Sequence, residues 1–231
     1  MSDWYDVSGT PATNAALASA AVRNEFALVQ TAMAKLPVLA GNGLKIVRVN
    51  AAGTAMESIS PNSVAGSQLL ATYTASASAT LDVDASSYTA TFDSFEIRLE
   101  KIKPATAAAD FWLRFGASGV YDTSAYRWAR HQVTDLAAEA AAGSASDAKV
   151  IMNNAVDNSD GNQVTGIIRV QTLSGLGTRV EWHTSYSTAA SLVSASGSGH
   201  YAAAARNQFR LMFSAGNITS GKARLYGIRT T

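Results

Sequence analysis

From about residue 70 to the end, large apolar side chains recur at every second position, and this alternation constrains the fold more than any other feature. In "FEIRLEK", Phe95, Ile97 and Leu99 fall on one side and Glu96, Arg98 and Glu100 on the other. In "FWLRF", Phe111, Leu113 and Phe115 oppose Trp112 and Arg114. In "TRVEWHTSY", Val180, Trp182, Thr184 and Tyr186 oppose Arg179, Glu181, His183 and Ser185. In "NQFRLMF", Phe209, Leu211 and Phe213 oppose Arg210 and Met212. "TGIIRVQT", "SAYRWARHQ" and "KARLYGI" repeat the pattern. A period of two is that of a strand with one buried face. Gly-rich turn signals separate the runs at Gly116–Gly119, Asp160–Gly161, Gly175–Gly177, Gly197–Gly199 and Gly216–Gly221. Short strands joined in this way predict an antiparallel β-sandwich, jelly-roll-like, over residues 70–231. One stretch departs from the alternation. "TDLAAEAAAGSASDAK", Thr134 to Lys149, is rich in helix formers and reads as a long edge loop with a helical turn.

The N-terminal third has a different period. "TNAALASAAVRNEFALVQTAMAKL", residues 13–36, reads as a helix capped by Thr13 or Asn14 and stopped by Pro37. From Val22 onward its apolar positions are Phe26, Val29, Met33 and Leu36, the alternating four-and-three step of a coiled coil. These five residues form the expected oligomer interface. "GNGLKIVRVNAAGTAMESIS" then reads as a small hairpin turning at Ala52 and Gly53, and "SPNSVAGSQL" as a linker. The expected organisation is an N-terminal arm and oligomerisation helix (1–36), a hairpin joint and linker (37–69), and a β-sandwich head (70–231). The N-terminus lacks the basic and apolar regions of a signal peptide, and no apolar run reaches membrane-spanning length, so no membrane insertion is expected.

Chemistry-bearing patterns are sparse. There is no cysteine, which excludes disulfides and thiolate metal sites. Net charge is +1 and no basic block occurs, which argues against nucleic-acid binding. His131, His183 and His200 share no ligand spacing. "DNSDGNQ" fails as a calcium loop. With Gly161 at the sixth position, Val156 stands first and Ile167 twelfth, where acids are required. An Asp-Gly hairpin turn is expected instead. The carboxylate pairs Asp82 with Asp84 and Glu96 with Glu100 fit solvent-facing strand positions. "SGSGH", Ser196 to His200, reads as a Gly/Ser turn. No catalytic residue, cofactor or metal site is expected. Tyr121, Tyr126 and Trp128 are candidates for surface contact with a sugar or a protein groove, with core packing the default for Trp128.

Charged residues make up only 15% of the chain, and small residues fill the gap, which suits a surface partly covered by neighbours. The layout "AAVRNEFALVQTAMAKLP" followed by "GNGLKIVRVNAAGTAMESI" resembles the attachment end of tailed-bacteriophage fibres and related virion proteins. "FDSFEIRLEKIKPATAAADFWLRF" and "GNITSGKARLYGIRTT" resemble stretches of phage β-sandwich head domains. The resemblance implies a non-enzymatic virion structural protein, made in a bacterial cytoplasm. It implies a homotrimer with helices around a threefold axis, in contact with other virion proteins and with a host surface glycan or protein. A long shaft is missing, so the expectation is a short fibre, a collar or fibre-tip component, or a capsid decoration protein. A sandwich-fold carbohydrate-binding or depolymerising protein is the alternative from another class.

Overall fold

A computed structural model describes residue 24 and residues 26–31, 46–49, 52–54, 56–59, 66–92, 94–173 and 176–228. The chain divides into two compact units, Met1–Val64 and Ala65–Thr231.

In the first unit, Asn24 and residues 26–31 are helical. The remainder of the expected helix, with Val22, Met33 and Leu36, lies outside the described residues. Phe26 is half-buried, while Leu28 and Val29 are 63% and 49% exposed. The expected hairpin is present. Strands β1 (Ile46–Val49) and β2 (Met56–Ile59) pair antiparallel with Ile46 opposite Ile59 and Val49 opposite Met56. Residues 52–54 form its turn, and Gly53 takes a φ of 70°, the left-handed conformation that glycine adopts at no steric cost. Val49 is 56% exposed.

The second unit is a sandwich of two antiparallel sheets, as the alternation predicts. Its strands are β3 (Ser67–Ser78), β4 (Leu81–Asp84), β5 (Ser94–Pro104), β6 (Ala109–Ala117), β7 (Val120–Tyr121), β8 (Tyr126–Thr134), β9 (Glu139–Asp147), β10 (Val150–Val156), β11 (Val164–Leu173), β12 (Gly177–Ser187), β13 (Leu192–Tyr201), β14 (Gln208–Phe213) and β15 (Ile218–Ile228). The larger sheet has the order β3-β15-β5-β11-β12-β13-β8-β9. The smaller has the order β10-β6-β14-β4, with β7 beside β6. The chain passes repeatedly from one sheet to the other, and only β11, β12 and β13 form an uninterrupted meander of three strands.

The two inner faces meet in one core. Phe111, Leu113 and Phe115 of β6 and Phe209 and Leu211 of β14 are wholly buried. They face a layer that includes Ile97, Ile168, Val170, Val180 and Leu225 of the larger sheet. Phe115 packs edge-on against Phe209, with ring centroids 6.2 Å apart. Tyr126 of β8 links the sheets. Its ring lies 5.5 Å from that of Phe115, and its hydroxyl accepts from the Phe115 N–H at 2.7 Å while facing the Phe115 carbonyl at 3.2 Å. A buried phenol needs such partners, and here they tie the inner faces in register.

Three local expectations are corrected. Residues 139–147 are not loop or helical turn but strand β9, paired with β8 through Ala141 opposite His131 and Gly143 opposite Ala129. The helical preference of alanine amounts to a few tenths of a kcal/mol per residue, and the hydrogen-bonding edge of β8 outweighs it. "SGSGH" is not a turn but part of β13. A Cβ at residue 197 would stand 2.4 Å from both the Trp182 ring and the Ala129 carbonyl oxygen. Glycine is here a close-packing device inside a strand. "DNSDGNQ" does form a turn, with Gly161 at a φ of 94°, but it carries the chain from β10 in one sheet to β11 in the other and closes no hairpin. Strand β3 also begins at Ser67, inside the stretch read as linker.

Candidate functional site

The outer face of the larger sheet presents the polar half of each alternating strand. Antiparallel pairing sets these residues in cross-strand rows. One row runs Arg127, His200, Arg179, Gln171 from β8 to β11. The next runs Ala129, Ser198, Glu181, Arg169. On β13 and β9 most outward residues are small, among them Ser196, Ser198, Ala141 and Gly143, while His200 of β13 stands between Arg127 and Arg179. Long side chains on β8, β11 and β12 therefore stand beside a low floor, and the result is an open groove of about 670 Å³. Arg127, Arg169, Arg179 and Glu181 wall it, His200 lines it between Arg127 and Arg179, and Ala129 and Ser198 form its floor. A second depression of about 210 Å³ between β11 and β12 shares Arg169 and Glu181 with it, so the two adjoin along the sheet.

The electrostatics of the groove are unbalanced. Arg169 shares the carboxylate of Glu96 with Arg98, at 3.3 and 2.8 Å. Among the described residues, the Arg127 and Arg179 side chains have neither an ion pair nor a hydrogen-bond partner, and both residues are exposed. Elsewhere on the sandwich, several arginines are matched to carboxylates. Arg206 donates twice to Asp122, at 2.6 and 3.1 Å. Arg210 donates twice to Asp82, at 2.8 and 2.6 Å, and stacks 3.8 Å over the Tyr121 ring. Burial pushes the Asp122 carboxyl up, but the hydrogen bonds from Arg206 and Tyr201 outweigh it and hold its pKa below the usual value.

The aromatics expected at a contact surface lie elsewhere. Tyr126 is wholly buried between the sheets, and burial raises its phenol far above the usual value. Trp128 is 8% exposed and donates its Nε1–H to Asp147 at 3.1 Å. Both belong to the core because β8 turns its even-numbered residues inward. Tyr121 is half-buried beneath Arg210, and burial with the nearby Asp82 pushes its hydroxyl up to about 12. The structure does not bring these three together as one surface. Of the expected oligomer interface, only Phe26 and Val29 are among the described residues.

The remaining candidates occupy separate places. His131 lies 3.5 Å from Glu139, His183 is exposed, and His200 Nε2 is 3.1 Å from the Leu176 carbonyl. Among the described residues, no group of three or more acidic or histidine side chains is placed to hold a metal ion. Asp84 bonds the Ser86 N–H and the Gln208 amide, and Glu100 pairs with Arg224. Asp157 accepts from Asn158, Ser159 and Asn162 within its own loop. No described helix is long and apolar enough to cross a membrane. Comparison of the chain with family models, with curated proteins and with solved structures found no match.

Sequence reasoning missed the groove. Its one available signal was the set of outward residues Arg179, Glu181 and His183. The neighbouring floor is hidden because Ser196–His200 of β13 carries the Gly and Ser of a turn and no hydrophobic period.

Proposed function

We propose that this chain is a non-enzymatic structural protein of a tailed-bacteriophage virion, a short trimeric fibre or fibre-like appendage. Its N-terminal unit serves attachment and trimerisation, and its sandwich contacts the host surface or neighbouring virion proteins. The observation that carries this reading is the contrast between the two units. Among the described residues, every side chain of the hydrophobic core belongs to the sandwich, although Val120, Leu136 and Leu176 stay exposed on its surface. The N-terminal unit leaves Leu28, Val29 and Val49 about half exposed or more. A two-stranded hairpin of this size is marginal alone in water. Packing copies about a closed symmetry axis removes such surface from water, at roughly 25 cal/mol for each Å² buried.

Native mass spectrometry of the full chain tests the proposal. The expected species has three times the chain mass. Val29→Glu, which places a charge on an exposed helical position, shifts the population to monomer without changing the circular dichroism of the sandwich. A monomeric unsubstituted chain at micromolar concentration removes the trimer reading.

A further inference from the structure

Resting on the assignment of the sandwich as a contact surface, we infer that the groove across β11, β12, β13 and β8 binds an anionic polysaccharide. Arg127 and Arg179 stand two strands apart in one cross-strand row, about 10 Å from Cα to Cα at normal strand spacing. Both guanidinium groups keep their donors free among the described residues. An arginine offers five N–H donors in a planar fork that matches a carboxylate or sulfate. Two such forks across one trough suit a ligand with repeated negative charge.

Glu181 narrows the chemistry. It stands in the same wall, directly across from Arg169 in the row next to that of Arg179, and would repel a bare inorganic anion. A carboxylate accepts hydrogen bonds from hydroxyl groups, and Ser198 and Gln171 can both donate and accept. The wall therefore suits a molecule that alternates acid groups with hydroxyls, as an acidic sugar chain does. The groove volume falls within the usual range of built small-molecule sites, and the adjoining depression extends the track along the polymer. Nucleic acid is a poorer fit. Single-stranded bases need aromatic faces to stack on, and the floor offers Ala129 and Ser198, with the Trp128 ring turned into the core.

Titration calorimetry of the full chain with polygalacturonate, heparin and neutral dextran tests the inference. Saturable binding of at least one acidic polymer is expected, weakening as salt rises, with no binding of dextran. The two acidic arms separate carboxylate from sulfate recognition. Arg127→Ala and Arg179→Ala each weaken binding by about tenfold, the usual scale for one charge-assisted contact. Ser198→Trp fills the floor without altering charge and abolishes binding. Arg224→Ala, on the same face but outside the groove, leaves it unchanged. Equal affinity for dextran, indifference to the Arg127 and Arg179 substitutions, or no binding of either acidic polymer overturns the inference. A monomer that binds through these arginines keeps the inference and removes the trimer reading; a trimer that binds neither polymer does the reverse.

Discussion

The outer face of the larger sheet has two halves that use the same side chains differently. Across β15, β5 and β11 every arginine is engaged. Arg98 and Arg169 share Glu96, Arg224 pairs with Glu100, and Arg98 lies 4.2 Å over the Tyr226 ring. Glu96 is so covered by these neighbours that it is 7% exposed although it points outward. Across β12, β13, β8 and β9, Arg179 and Arg127 flank His200 beside a floor of small residues, and their side chains have no partner among the described residues. The sheet can evidently place a carboxylate beside an arginine on the next strand, since it does so repeatedly in the first half. Its second half does not do so for these two arginines. Side chains that contribute nothing to holding a fold together are the ones available to an outside ligand.

The largest effect should come from removing the support beneath the second half. Trp182 lies on the inner face under Gly197, and its indole N–H faces the Met152 carbonyl of the opposite sheet at 3.3 Å. Trp182→Ala leaves a cavity between the sheets and should cost about 4 kcal/mol in urea unfolding. It should also weaken binding in the groove, because the floor strand loses the ring it rests on. A cost below about 1 kcal/mol would show that the two sheets carry the floor without it.

A smaller effect should come from a paired arginine. Asp122→Asn removes the charge that receives both Arg206 donors. The pair is partly exposed, with side chains 23% and 20% accessible, so the expected cost at pH 7 is only about 1 kcal/mol. The pH dependence follows from the lowered carboxyl pKa of Asp122 in the folded state. The folded chain binds fewer protons there than the unfolded chain. The stabilisation is complete above the unfolded value near 3.9 and disappears as pH falls through the lower folded value. Unfolding measured from pH 7 downward should therefore show the Asn variant less stable at neutral pH and equal to the unsubstituted chain in strong acid. A gap that persists unchanged in acid would mean that packing, not charge, sets the difference.

These two halves were unequally legible in the sequence. Strands β5, β6, β12 and β14 announce themselves because their inner residues are Phe, Leu, Ile, Val and Trp, set against polar neighbours. Strands β9 and β13 do not. "EAAAGSASD" and "LVSASGSGHY" hold mostly Ala, Ser and Gly, whose side chains are too small to produce a hydrophobic period. Their strand character comes from hydrogen bonding to β8 and β12, partners that local pattern does not reveal. The groove depends on that same pairing. Arg127 and Arg179 are far apart in the chain and become neighbours only through His200 between them. Alternation could say that each arginine points outward, but not that they share a trough. The aromatics suffered the converse ambiguity, since the alternation that placed Tyr126 and Trp128 on one side of β8 did not say which side faced the core.

The smallest effect is the most telling for the comparison. Arg127→Ala and Arg179→Ala, singly or together, should change unfolding stability by less than about 0.5 kcal/mol, because exposed side chains without partners contribute little. Substitution at Asp122 removes an interaction within the fold, whereas substitution at Arg127 or Arg179 removes only a donor directed at solvent. Relieving repulsion between neighbouring cations would make the double variant slightly more stable at low salt, and added salt would erase the gain. A loss of 1 kcal/mol or more would mean that these arginines hold the sheet together, as Arg206 and Arg210 are placed to do. The groove would then be a structural feature of the sandwich, and the distinction between the two halves of its outer face would fall.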